Sequence, residues 1–215
     1  MPWKRFASSA LVVAGVVVAA GCGGSSGSKS SGGCSDVEQP KPRAAQTLQP
    51  PSQGLDAAKT YRVDVDTNCG DFTITLDQRT SPKTTASFVS LVKAGYFDHT
   101  IFHRIAPDFV IQGGDPTQKG GGGPGYSTVD KPPSTTRYVR NTVAMAKTET
   151  DPSGTAGSQF FVVTRADAQL TPDYAVLGKV TSGQDVVARI GRLGDVQTQK
   201  PTRTVEIERM TVQTS

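Results

Sequence analysis

FHRIAPDFVIQGGDP, residues 102–116, is the stretch on which the reading of the whole chain turns. Short apolar runs lie at 101–105 and 109–112. Runs of that length, bounded by Pro, Asp and Gly, suit strands better than helices. Phe102 with Arg104, and Phe109 with Ile111, fall on alternate positions, which read alone describes strand faces with an arginine turned to solvent. Further runs follow at 142–146, 160–164 and 174–180, between loops rich in Gly, Pro, Asp and Ser. Upstream, Tyr61, Val63 and Val65 alternate with polar residues, 68–70 supply turn chemistry, and Phe72, Ile74 and Leu76 alternate again. That pattern predicts a β-hairpin. Ser81 then offers an N-cap and Pro82 a first helical position, while Phe88, Val92 and Tyr96 recur four apart until Gly95, so one amphipathic helix is expected over 82–94. A second helical stretch covers 184–190, and a last alternating strand 204–212. Strands outnumber two widely separated helices, which predicts a mainly β fold: a closed antiparallel barrel capped by two α-helices.

The 215 residues suffice for one domain with appendages. Only 35% of them are hydrophobic, against 23 Gly and 14 Pro, which favours a turn-rich β fold over a helical bundle. The net charge is +4, and a surplus of two remains once Lys4 and Arg5 are set aside. That is too small and too dispersed for nucleic acid. Residues 1–21 read as a signal peptide: a basic start, an apolar run over 10–20, then small residues before Cys22. The run is short for a membrane span. Its end, AAGC, resembles a bacterial lipobox, with Ala19 where Leu is commonest, so Cys22 is expected to carry a diacylglyceryl group. A plain secretory signal cut near Ala20 is the alternative. Residues 22–58 read as a flexible tether, first GGSSGSKSSGG and then the Pro-rich EQPKPR and LQPPSQG. Stretched, it spans on the order of 100 Å. The folded domain is expected over 59–215, held by lipid alone at the outer face of a bacterial cytoplasmic membrane. With Cys22 acylated, Cys34 and Cys69 remain, an even pair in an oxidising compartment. They are expected to form a disulfide, with two free thiols as the alternative.

Several chemistries are excluded. No GK[ST] follows the glycine run 120–123, so that run is a turn or loop and not a phosphate cradle. His99 and His103 are the only histidines and have no paired acidic ligands near them, so neither metal nor cofactor is expected. Ser158 has no histidine at a spacing that suggests a triad.

The first segment is followed by VAMAK at 143–147 and GSQFFVVT at 157–164. In order and spacing these blocks resemble the FHR…P.F..QGGD, MA and GSQFF signatures of the cyclophilin family, over about residues 60–213. The resemblance implies an eight-stranded barrel and peptidyl-prolyl cis/trans isomerase activity on proline-containing polypeptides; with the export signal these are expected to be unfolded or newly exported chains, and a monomer is expected. It implies Arg104, Phe109, Gln112 and Phe161 as catalytic residues, and Val110, Ala146, Lys147, Gln159, Leu170 and Tyr174 as substrate-binding ones. The chemistry stands on its own terms. Amide resonance makes an X-Pro bond slow to rotate, and a catalyst needs only to bind the twisted amide better than either planar form. A rigid guanidinium such as Arg104 can donate to the prolyl nitrogen as its lone pair returns. Phe109, Val110, Phe161 and Leu170 would hold the pyrrolidine ring, Gln112 would orient Arg104 or hold a substrate carbonyl, and backbone near Ala146 and Lys147 would pair with the peptide. A non-catalytic proline-binding chaperone or scaffold is the alternative, and a barrel serving only as a platform is a third reading.

Phe160 and Phe161 are adjacent and should face opposite sides of a strand, one to the core and one to the pocket. His103 should turn away from Arg104 and pack or hydrogen-bond, not catalyse. Where family members carry tryptophan this chain has Gln169, and where they carry an active-site histidine it has Tyr174. The first departure removes an indole donor, so weak cyclosporin affinity is expected. Val110, in place of the commoner methionine, reshapes the pocket slightly.

Overall fold

The computed structural model describes residues 33–215. The signal segment, Cys22 and the first part of the tether lie outside the described residues. In chain order the elements are β1 (Tyr61–Thr67), β2 (Gly70–Leu76), α1 (Pro82–Lys93), β3 (Thr100–Ile101), β4 (Arg104–Ala106), β5 (Val110–Gly113), β6 (Thr128–Val129), β7 (Thr142–Met145), β8 (Thr155–Ala156), β9 (Phe160–Val163), β10 (Val176–Ser182), α2 (Gln184–Ile190) and β11 (Glu206–Thr214). β6 and β8 pair apart from the rest as a two-stranded ribbon.

The remaining nine strands form one antiparallel sheet in the order β3-β11-β1-β2-β10-β7-β9-β5-β4. The closed eight-stranded barrel expected above is therefore corrected to a curled, nine-stranded half-barrel with two helices. Its edge strands β3 and β4 are neighbours in the chain, separated only by Phe102 and His103, yet they do not pair. Hydrogen bonding explains why. Phe102 N–H donates to Val205 O at 3.0 Å, continuing the contact with β11, whereas Ile105 N–H donates to Gln199 O at 2.9 Å. The edge of β4 is thus satisfied by the loop before β11, and no donor is left there for β3.

Alternation places the core. In the β1–β2 hairpin Val63 faces Ile74 and Val65 faces Phe72, and all four are buried. Ile105, Ile111, Val162 and Val143 stand opposite one another across β4, β5, β9 and β7 and line the inner face with Phe160. The Phe160 ring meets Phe88 and Phe97 of the α1 region and Phe102 edge-on, at 5.6, 6.1 and 6.0 Å.

Helix α1 ends as the sequence suggests. Gly95 takes φ 65°, and Tyr96 N–H donates to Leu91 O while Gly95 N–H donates to Val92 O, the paired bonds of a Schellman close. Its start differs. Ser81 makes no side-chain cap bond. Instead Thr84 N–H donates to Asp130 Oδ2 at 2.7 Å, a cap supplied from 46 residues away.

The flexible tether expected over 22–58 also needs correction where it is described. From Cys34 onward it has neither helix nor strand, but it is tied to the domain as a strap. Cys34 is disulfide-bonded to Cys69, Ser35 N–H donates to Asn68 O, Arg43 N–H to Pro116 O and Leu48 N–H to Pro124 O. Leu48 and Leu55 pack against the main core. Proline keeps this chain extended, and its few apolar side chains find a surface that composition alone does not reveal.

Candidate active site

Opposite residues in a sheet share a face, and the outer face of the half-barrel carries one continuous row. Arg104 of β4 faces Gln112 of β5, Gln112 faces Phe161 of β9, and Phe161 faces Ala144 of β7. Gln112 and Phe161, 49 positions apart in sequence, become neighbours by register alone. One step along lies a second row, Ala106, Val110 and Val163. These side chains form a small apolar cluster with Tyr138 and Ala168, separate from the main core, with Phe109, Leu170 and Tyr174 packed at its margin.

A pocket of about 340 Å³ opens over that cluster, and Arg104, Phe109, Val110, Gln112, Phe161, Leu170 and Tyr174 line it with Ala146, Lys147 and Glu149. Pro107 and Asp108 turn the chain between β4 and β5, with Asp108 at φ 53° and Phe109 N–H donating to Ala106 O at 3.1 Å. The turn offsets Phe109 from regular pairing, so that Phe109 and Val110 both reach the pocket. Phe160 faces the core and Phe161 the pocket. A second cavity, about 270 Å³, adjoins the first across Gln112, Ala146 and Lys147 and is walled by 120–122 and Gln159. Gln159 belongs to this cavity and not to the Arg104 pocket.

The polar side chains form a chain of bonds. Arg104 Nε donates to Gln199 Oε1 at 2.7 Å and Nη1 donates to Gln112 Oε1 at 3.2 Å. Gln112 Nε2 donates to Gln159 Oε1 at 3.1 Å, and Gln159 Nε2 donates to the carbonyls of Gly120 and Gly122. The glycine run is therefore a loop whose carbonyls orient Gln159. Burial pushes the Arg104 guanidinium down from its ordinary value, but arginine stays charged. On the opposite wall Lys147 is 4% exposed at its side chain and pairs with Asp173 at 2.7 Å, 5.7 Å from the Tyr174 ring centre. The shared bond holds the Lys147 ammonium above its usual value and the Asp173 carboxyl below its own. Ala146 N–H is already given to Gln159 O at 2.8 Å, so it cannot donate to a peptide, contrary to a strand-like pairing through that group.

Three residues carry no signal in the sequence: Glu149 lines the pocket, while Tyr138 and Gln199 stand behind its lining side chains. Tyr138, wholly buried, donates its hydroxyl to Tyr174 O at 2.6 Å and accepts from Tyr174 N–H at 2.9 Å. Burial pushes that hydroxyl up to about 12, keeping it a neutral donor, and its ring meets Tyr174 edge-on at 6.0 Å. Gln199 and Glu149 sit in polar loops with no motif. Gln169 is exposed at φ 56° and does not line the pocket. Among the described residues no cluster of His, Cys, Asp and Glu could hold a metal ion.

His103 does turn inward. Both ring nitrogens are buried without a hydrogen-bond partner, and burial, aided by the neighbouring Arg104 charge and opposed by Asp115, pushes its pKa down. The unfolded chain then takes up a proton that the folded chain resists, so stability falls as pH drops below the unfolded value of about 6.5. Replacing His103 with Gln is expected to flatten the slope of Tm between pH 6.5 and 5, read by circular dichroism. An unchanged slope would contradict this origin.

The family model described as "Cyclophilin type peptidyl-prolyl cis-trans isomerase/CLD" matches residues 62–212. The chain is 33% identical over 152 residues to peptidyl-prolyl cis-trans isomerase CYP18-2 of Arabidopsis thaliana, covering 70% of this chain and 92% of that one. It is 36% identical over 149 residues to peptidyl-prolyl cis-trans isomerase-like 1 of Neurospora crassa, covering 67% and 90%. The crystal structure of a cyclophilin type peptidyl-prolyl cis-trans isomerase from Cryptosporidium parvum superimposes with a TM-score of 0.66 at 30% identity, covering 72% of this chain and 98% of that one.

Proposed function

The chain belongs to the cyclophilin-type peptidyl-prolyl cis-trans isomerase family, and from that premise we propose that it accelerates X-Pro rotation in polypeptides exported across a bacterial cytoplasmic membrane. The observation that carries the reading is Arg104. Its Nε and Nη1 are held by two glutamine acceptors at the rim of an apolar pocket, which fixes the plane of the guanidinium and leaves Nη2 for a substrate. An X-Pro amide resists rotation by about 18–20 kcal/mol because its nitrogen lone pair is delocalised. Twisting localises that lone pair. A fixed, charged donor then stabilises the twisted amide more than either planar form, and selective stabilisation of that state is what raises the rate. Phe161, Val110 and Leu170 supply the apolar contact for a pyrrolidine ring, while Phe109 and Tyr174 close its sides. Gln112 both holds Arg104 and separates this pocket from the adjoining cavity, where Gln159, Ala146 and Lys147 would meet the chain before the proline.

The site of action follows from the signal-like residues 1–21 and the lipobox-like AAGC ending at Cys22. The protein acts as a lipid-anchored monomer, where uncatalysed isomerisation of tens of seconds or more would delay folding of exported chains. The test uses the full chain recovered from the membranes of a Gram-positive host. Mass spectrometry is expected to show an acylated Cys22 as the first residue, and protease-coupled kinetics an accelerated cis-to-trans rate on a short X-Pro peptide. An unacylated mature chain would overturn the anchoring. Peptide binding without acceleration would leave a proline-binding module in place of an enzyme.

A further inference from the structure

The loop between α2 and β11 is a clip built to hold one side chain. Asp195 accepts at Oδ1 from the N–H groups of Gln197 and Thr198 and from the Thr198 hydroxyl. Its own N–H donates to Lys200 O, and its carbonyl accepts from Gln199 N–H at 2.8 Å. These bonds fold 195–200 back on itself, and Gly194 bridges to Pro201 at the base. The clip sits hard against β4. A Cβ at Gly194 would come within 2.1 Å of Ile105 O, and Ile105 N–H donates to Gln199 O at 2.9 Å.

Gln199 is thus fixed through its backbone on both sides, by Asp195 and by Ile105. It also takes φ 56°, a backbone region that non-glycine residues occupy at a cost. The consequence of this arrangement lies at its side chain. Oε1 receives the Arg104 Nε–H at 2.7 Å, the shorter of the two bonds that orient the guanidinium. The other, from Gln112, comes from the same sheet, so it fixes Arg104 only from one side. Gln199 approaches from outside the sheet and removes the remaining freedom of rotation about the end of the side chain.

We propose that Gln199 is a positioning residue for the isomerisation, acting through Arg104; this rests on the catalytic reading of Arg104 above. A donor misplaced by a fraction of an ångström still binds a planar peptide, because the apolar pocket is intact. It loses contact with a nitrogen whose lone pair forms only in the twisted state. The effect should therefore fall on kcat and spare KM.

Gln199→Gly removes the side chain while relieving the positive φ, so the clip keeps its shape. In the full chain it is expected to lower kcat on an X-Pro peptide about tenfold with KM unchanged. The Arg104 Nε–H resonance in ¹⁵N spectra should exchange faster with water, while the Ile105 amide keeps its protection. Gln199→Glu restores the acceptor and should return that protection. Unchanged kcat for Gln199→Gly, with Arg104→Ala still impaired, would overturn this inference alone. Loss of Ile105 protection together with kcat would reassign Gln199 to a structural role. Full activity in Arg104→Ala would remove the catalytic reading and this one together.

Discussion

Arg104→Ala is expected to lower kcat/KM on a short X-Pro peptide by about two to three orders of magnitude, the loss found when a preorganised donor to developing charge is deleted. Peptide affinity should change far less. The pocket floor is made by Val110 and Phe161, which pack in their own cluster over Ala144 and Val163 rather than on Arg104. Stability should change little for the same reason. Arg104 is half-buried, and its two bonds go to glutamines that can turn to water once it is gone. Arg104→Lys is the sharper comparison. It keeps the charge but not the planar fork that meets Gln199 and Gln112 together, so it should recover only part of the rate. If charge alone matters, lysine will restore most of it. If alanine costs nothing, rotation is being assisted by the apolar pocket alone. Protease-coupled rates with peptide titration separate these cases.

The legible and illegible parts of this fold divide along physical lines. The β1–β2 hairpin and both helices are visible because burial imposes a period: Val63, Val65, Phe72 and Ile74 every second residue, Phe88 and Val92 every fourth. Such patterns need no partner to be read. The split between Phe160 and Phe161 was readable for the same reason. Closure was not. Whether β3 and β4 pair depends on where Ile105 N–H finds its acceptor, and that acceptor is Gln199 O, supplied by a loop with no hydrophobic pattern. Ser81 and Pro82 do stand at the N-cap and the start of α1, but the carboxylate that accepts from the helix N–H of Thr84 comes from Asp130, 46 residues on, a contact no local rule contains. In the site, Arg104, Gln112 and Phe161 stand in recognisable motifs and are aligned by strand register. Tyr138 and Gln199 support them from segments whose composition says only loop. The strap is the same case. Its prolines and glutamines describe an extended chain, and the surface that receives Leu48 and Leu55 exists only once the sheet has formed.

That strap carries the second large expected effect. The Cys34–Cys69 bond closes a loop with a sequence separation of 35, and restricting the unfolded chain by that much is worth about 3–4 kcal/mol in the loop-entropy account. The double substitution Cys34→Ala, Cys69→Ala should therefore lower the denaturant midpoint markedly and steepen its slope somewhat, as the unfolded chain expands. The effect has a local part as well. Beyond the disulfide, the strap's start is held by Ser35 N–H to Asn68 O, Asn68 Nδ2–H to Ser35 O at 2.8 Å, and an exposed contact of Arg203 with Asp36. Surface ion pairs of that last kind contribute little. Without the covalent tie the strap can lift away before the sheet unfolds. The amides of Arg43 and Leu48, which donate to Pro116 and Pro124, would then exchange by a route that leaves Ile111 and Val162 protected. Hydrogen exchange on oxidised and reduced protein separates the two parts. A lower midpoint with uniform loss of protection would place the whole effect in the unfolded state. Selective loss at Arg43 and Leu48 would show the strap opening in the native one. Equal midpoints for both proteins would mean that Leu48, Leu55 and the backbone bonds hold the strap unaided, and that the disulfide adds no stability.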